Sequence, residues 1–534
     1  MRDAQFFFLT KTGTWSRAVF LLAIFLMAAA PVFAQKKVKI KRSDSWKVST
    51  VNNERINRFI GNVIFSQNET TIYCDSAHQV KSNNLIEAFG RIRITEGDSV
   101  SVTASGLTYN GNTKVAYLRK NVVFKKLGIA TLYTDFLDYD RKKNEARYFN
   151  GGKLIDSVNV LTSKKGYYNV SNNLGSFKTD VVGVNPDYTL YADTLQYNSQ
   201  TKIIYFLDST TIKDKEGAVA VYKSGFYNTN QKLSTLKDGQ VETPTYKMKG
   251  SAYDLDDVKK QYRAKGNVIM TSKEENLLIY GDDGTYDRIK GISKVFGNAY
   301  VAKVSEEGDT LFVRADTLVS IENKDPAKKR ILAYNNVRIF KSDLQGTADS
   351  LVYVNIDSMI YFYNHPVLWS EDNQMTADSI RILLKNKTID RIYLVANSFV
   401  ISKDTLENFN QIKGRKMTAF MKDKMMHHVI VEGNGESIYF ALQETNSKSD
   451  SVATKGSMMM GMNHILCSNL RINFKEGKVN NISFYIKPDA TFTPPHELKS
   501  ENKKMRGFVW RSKERPEKKD VVGHQSTENS PKRQ

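Results

Sequence analysis

Cysteine, histidine and proline are all scarce in this 534-residue chain, which holds two, seven and ten of them. Cys74 and Cys467 lie at opposite ends of a long repetitive region. A bridge needs Cα atoms within about 7 Å, so both are read as free thiols. Seven scattered histidines, with no CxxC or HxxxH spacing, argue against a metal site. The one adjacent pair, His427-His428, is expected to point to opposite faces of a strand. No GxSxG, Walker-type glycine loop or other catalytic motif occurs. No helix-turn-helix, zinc-finger or RNA-recognition signature occurs either, so nucleic acid is not expected as a partner. After residue 34 no apolar run reaches transmembrane length.

What is present is a repeat. Its clearest copy is ADTLQYNSQTKIIYFLDSTTI, Ala192 to Ile212, in which short alternating strands are separated by Asn, Asp and Ser turns. One landmark is a small turn before apolar alternation: GNVIF at Gly61, GRIRI at Gly90, NVVF at Asn121, GNVIM at Gly266, NNVRIF at Asn335. The other is an acidic or small turn with Asp75, Asp135, Asp193, Asp282, Asp316, Asp349 or Asp378. From Gly61 the first intervals are 29, 31 and 30 residues, and later ones lengthen, as from Gly297 to Asn335 at 38. A period of this length marks stacked units that bury their apolar faces against neighbours, with loop insertions where it lengthens. The aspartates recur at one register, which suits Asx turns at corners rather than a catalytic carboxylate pair. The chain is therefore read as all-β and non-enzymatic, with no cofactor and no metal.

The chain divides into four segments. Residues 1–34 carry Arg2, Lys11 and Arg17 before an apolar run ending in small residues, and read as a secretory signal peptide cleaved after Ala34. Residues 35–58 are a basic lead-in without a core of their own. Residues 59–487 are one continuous repeat domain. Residues 488–534 form a basic, mostly disordered tail, in which Phe508 and Trp510 suggest a docking motif or a lid on the last repeat. The net charge of +21 favours anionic partners, phospholipid headgroups or a phosphorylated glycolipid above all in an exported protein.

The signal peptide, ADTLQYNSQTKIIYFLDSTTI, TADSLVYVNIDSMIYFYNHPVLW from Thr347 and YRAKGNVIM from Tyr262 together resemble the OstA-like, LptA-type periplasmic lipopolysaccharide transport family. The resemblance covers nearly all of 59–487, as many copies rather than one. It implies an elongated β-jellyroll, a V-shaped or taco-like stack of antiparallel strands whose groove shelters lipid acyl chains. It also implies a place in a bridge towards an outer-membrane translocon. The chain departs from the family in being several times longer than a bridge subunit and in lacking a C-terminal barrel.

On this reading the protein is a periplasmic, non-enzymatic conduit for lipopolysaccharide or a related anionic glycolipid, with inner- or outer-membrane association left open. The candidate groove residues are Val63, Phe65, Ile92, Ile94, Val122, Phe124, Leu195, Tyr197, Val268, Met270, Val337 and Ile339. Open end strands would add to other transport-bridge proteins by β-augmentation. The alternative is an exported structural or adhesive β-solenoid without lipid, in which the same side chains fill a closed core.

Overall fold

A computed structural model describes residues 37–522, apart from 245, 274–275, 306–307, 355, 386–387, 424, 450–451 and 476–477. The proposed signal peptide lies outside the described residues. The chain is almost entirely β-strand, and the pairings are antiparallel. It forms two compact units where the sequence shows no linker: Met1–Ser157 with Lys165–Asn172, and Val158–Lys164 with Asn173–Gln534. The same local construction builds both.

Each repeat is a pair of antiparallel strands, one of which carries a left-handed corner in its middle. In Glu54–Gln67, 14 residues long, Gly61 and Asn62 take φ of 79° and 46°. The register against Thr70–Val80 slips there, because Ile60 pairs with Ser76 and Val63 with Cys74. Two residues thus oppose one, a β-bulge that bends the strand and re-aims its second half. Positive-φ pairs recur at Lys120/Asn121, Asn150/Gly151, Gly266/Asn267, Asn335/Asn336 and Ala396/Asn397. The Gly-Asn landmark, expected as a turn ahead of a strand, is therefore a corner inside one. Glycine and asparagine occur there because they reach the left-handed region at least strain. Because the strands are antiparallel, residues before each Gly-Asn corner pair with the far half of the neighbouring strands and make the half-sheet before the corners, while residues after it pair with their near half and make the half-sheet after the corners.

The repeating aspartates sit at these corners, but not in Asx turns. Asp44, Asp282, Asp316, Asp349 and Asp378 accept a hydrogen bond from the side-chain amide of Asn62, Asn298, Asn336, Asn364 and Asn397 on the neighbouring strand. Asp135 accepts the backbone N–H of Asn121, and Asp75 pairs with Arg91. Asx turns occur instead at the hairpin tips, where Asn110, Asp140, Asn198, Asn228 and Asp256 accept backbone N–H groups two and three residues on. Each tip closes on a positive-φ residue, such as Lys114, Asn144, Lys202 or Lys260, whose carbonyl accepts an N–H from the next tip.

Other expectations need correction. The lead-in is not coreless: Lys39–Arg42 and Ser45–Val51 pair with the two halves of Glu54–Gln67, and Val38 is buried. The long Gly297–Asn335 interval does contain a lengthened tip, with a 3-10 turn at Pro326–Lys328, whereas the Asn397–Gly433 interval holds a longer strand, the 14 residues of Phe409–Lys422. His427 and His428 do not diverge. A register slip near Phe420 brings their Nδ1 atoms to 2.8 Å, and His428 stacks on Phe420. Among the described residues no group of three metal-ligating side chains forms. Both cysteines are buried and free.

Residues 488–522 of the tail are ordered. Asp489–Thr493 pairs with Val452–Lys475, and the chain then runs back along the outer face of the second unit, through Met505 and Phe508 to Val521 and Val522. A basic, proline-containing segment has no core of its own, but it finds one on a preformed apolar face. Residues 523–534 lie outside the described residues.

Candidate functional site

Within a strand, side chains alternate between faces, so register decides which residues share the interior. In the first unit, the half-sheet after the corners stacks Phe65, Ile72, Ile94, Val102, Phe124 and Leu132 in one cross-strand row. The half-sheet before the corners answers with Phe59, Ala77, Ala88, Leu107, Leu118 and Leu137. All of these are buried. Phe124 meets Tyr139 and Tyr168 edge-on at 5.7 and 6.2 Å, which fills the space between the two halves.

The second unit carries the same two rows over a longer distance. Before the corners the row runs through Phe177, Leu195, Phe206, Gly225, Leu236, Tyr253, Ala264, Gly284, Val295 and Leu318. It continues through Ala333, Leu351, Phe362, Ile380, Leu394, Met417, Val431 and Leu470. After the corners the row runs through Leu190, Ile212, Ala220, Val241, Met248, Met270, Ile279, Val301 and Val313. It goes on to Ile339, Gly346, Leu368, Met375, Val400 and Ile412. Neither row contains a charged side chain.

Burial is uneven along the second of these rows. Ile339, Leu368 and Met375 are buried, at 4%, 0% and 1% exposure. From Ile212 to Val313, every member of the row is only half-buried. This stretch is an apolar trough with one wall partly uncovered. Opposite it, Leu236 and Tyr253 are fully packed, and the Tyr253 hydroxyl donates to the Gly239 carbonyl at 3.0 Å. Burial holds the Tyr222 and Tyr253 phenols far above the ordinary range, so they stay neutral. Nearer the C-terminus, a cavity of about 50 Å³ lies between the halves, lined by Met375, Val400, Ile412, Met417, Val429 and Ile472 among others.

The candidate residues all face inward. Val63, Phe65, Ile92, Ile94, Val122 and Phe124 lie in the first unit, and Leu195, Tyr197, Val268, Met270, Val337 and Ile339 in the second. All but Met270 are buried, so most fill the space between the half-sheets rather than line an open channel. Of the half-buried row, sequence reasoning reaches Met270 alone. The signal is present as alternation in Val241, Met248 and Ile279, but exposure on an inner face is not encoded by alternation.

The corner aspartates make no catalytic pair. Asp44, Asp75, Asp135, Asp282, Asp316, Asp349 and Asp378 are each committed to an asparagine, an arginine or a backbone amide at a bend. Lys265 and Arg263 likewise pair with Asp254 and Asp283 on the outer face. The two rows offer apolar surface, with charge at the corners and on the outer face; in the first unit a part-buried pair also spans the interior, where Arg141 and Tyr139 donate to Glu96 of the opposite half-sheet at 2.9 and 3.0 Å.

Residues 35–193 match the family described as OstA-like protein. No curated protein matches. Among solved structures, the chain is similar to LptH of Pseudomonas aeruginosa, described as the LptA-homologous periplasmic component of the lipopolysaccharide transport device. That similarity is at 13% identity, over 22% of this chain and 79% of that one, with a TM-score of 0.19. The OstA-like match ends inside the strand Tyr188–Asn198, while the corner-and-tip construction continues through the C-terminal strands.

Proposed function

We propose that this protein is a non-enzymatic periplasmic component of lipopolysaccharide transport that holds acyl chains between its two half-sheets. The observation that carries the reading is the half-buried apolar row from Ile212 to Val313, an uncharged trough one strand after another. Each methylene taken from water into such a trough contributes about 0.8 kcal/mol, so continuity matters more than any one residue. The OstA-like match of residues 35–193 supports the same assignment. The basic outer surface suits the phosphate groups of the glycolipid.

Partners follow from the exposed edge. Ser45–Val51 pairs with Glu54–Gln67, and its Trp46, Val48 and Val51 are exposed. Such a strand is a site for β-augmentation by another bridge protein or by a translocon.

The test is photocrosslinking in cells, with the probe at Met248 or at its strand neighbour Lys247. Lipopolysaccharide adducts at Met248 and not at Lys247 are expected. Stable chain with no adduct at Met248 rejects the conduit and leaves an exported structural β-stack.

A further inference from the structure

The C-terminal segment is fastened to the second unit in a way that ordinary tails are not. Gln411 is fully buried on the outer face, and its amide donates to the Lys503 carbonyl at 2.8 Å and accepts from the Met505 N–H at 2.8 Å. Gln374, also fully buried, repeats the arrangement with the Val509 carbonyl at 2.7 Å and the Arg511 N–H at 2.6 Å. Gln345 accepts from Arg515 Nε at 2.7 Å. A glutamine amide used twice this way imitates a strand edge; the Gln374 amide makes both bonds to the segment, while that of Gln411 also donates to the Phe409 carbonyl at 3.0 Å.

Apolar anchors lie at both ends of this line. Met505 packs with Phe399, Ile401, Ile438 and Phe440, while Phe508 and Trp510 meet Phe409 at 5.2 Å. Val521 and Val522 close over Tyr280, Tyr300 and Phe312. The strands it ties are those whose opposite faces carry the inner row. Gln374 lies beside Met375, and Gln411 beside Ile412; both neighbours line the cavity. Where the segment is tied at Gln345 and Gln374, the inner row is buried at Ile339, Leu368 and Met375. The row is half-buried from Ile212 to Val313, including Ile279, Val301 and Val313 behind the strands that Val521 and Val522 cover, and again at Val400 and Ile412.

We propose that the segment from Pro494 to Val522 is a brace whose ties at Gln345 and Gln374 hold the second half-sheet closed between the open trough and the cavity. This rests on the conduit reading for what the trough holds, but not for how it closes. Antiparallel sheets yield by changing the twist between strands. A chain tied across Gln345–Val354, Asn373–Thr376 and Phe409–Lys422 fixes that twist. When the brace lifts, the wall at Met375 opens and the trough extends into the cavity.

The experiment uses the full chain with Met375→Cys as an inner reporter and Phe124→Cys as a control in the first unit, read by maleimide labelling. Gln374→Ala with Gln411→Ala removes both paired amides, and proteolysis within 494–522 reports release. Released brace with labelling of Met375→Cys faster by about tenfold, and Phe124→Cys unchanged, is the expected result. Released brace with unchanged labelling at Met375→Cys overturns the inference. If the double variant does not fold, Gln374→Ala alone is read the same way. Should that fail to fold too, the segment is part of the core rather than a brace on it, and the inference is wrong. The Met248 crosslink reports the conduit reading separately, because it needs no release.

Discussion

Asn397 donates its side-chain amide to both carboxylate oxygens of Asp378, at 3.0 and 3.2 Å, across the corner of Thr388–Lys403. The two residues are 19 apart in sequence. The same acid–amide pair joins Asp44 to Asn62 and Asp282 to Asn298. It holds a left-handed residue in place on one strand with a carboxylate from the next. The corner, and with it the inner face, is fixed between repeats rather than within one.

The corners are thus the positions least tolerant of a side chain. A Cβ at Gly297, where φ is 72°, would stand 2.8 Å from the Asp282 Cβ. Gly297→Ala is expected to destabilise its own and adjoining strands by about 1–3 kcal/mol, from left-handed strain and the clash together. Hydrogen exchange resolved along the chain checks this. Faster exchange confined to strands near the corner is expected, because a stacked repeat opens locally.

The packed and the open parts of the interior respond differently to truncation. Phe124, at 2% exposure between two tyrosine rings, is expected to lose about 3–5 kcal/mol on Phe124→Ala. Met248 is half-buried and leaves its wall uncovered, so Met248→Ala is expected to cost below about 2 kcal/mol. Met248→Asp keeps the fold and lowers recovery of bound glycolipid. Denaturant melts of the three variants, with lipid extraction of the purified chains, separate packing from binding.

The cysteines are expected to be chemically silent. Burial, with the Asp75 charge beside it, pushes the Cys74 thiol up to about 12, and burial raises Cys467 as well. Since the thiolate is the nucleophile, maleimide labelling at neutral pH is expected only after unfolding. Fast labelling of the native chain would show that these strands open readily.

Alkali is expected to loosen the second unit. Burial holds the Tyr227 and Tyr262 phenols up to about 12, with the Asp257 charge adding to it. In the unfolded chain a tyrosine ionises near ~10. Between these values the unfolded chain binds fewer protons, so stability is intact below the unfolded value and falls as pH rises towards the folded one. Far-ultraviolet dichroism followed with the tyrosinate absorbance is expected to show both changing together. Tyr227→Phe is expected to make the loss shallower.

Much of this is legible in the sequence. Strand type, inward phase at Phe65, Ile94 and Phe124, and the recurrence of the corner aspartates all follow from two-residue alternation and turn chemistry. The function of the Gly-Asn motif is not legible. A left-handed pair reads the same whether it ends a strand or bends one, and only the register of the next strand distinguishes them. The tail misleads for a related reason. Composition measures whether a segment can bury itself, and the segment from Pro494 to Val522 cannot. It is ordered by Gln345, Gln374 and Gln411, polar residues on an outer face, whose amides look like solvated positions until another strand lies across them.

The sequence by itself determined that this chain is a repeated antiparallel β-structure with an apolar inner row, because alternation and period are local. Only the tertiary structure decided where that face is filled and where it is open. Met248 and Leu368 occupy the same inner row, yet one is half-buried and the other fully buried. Exposure at an inner position depends on how closely two half-sheets approach, which is set by pairings and a brace that act between residues far apart along the chain.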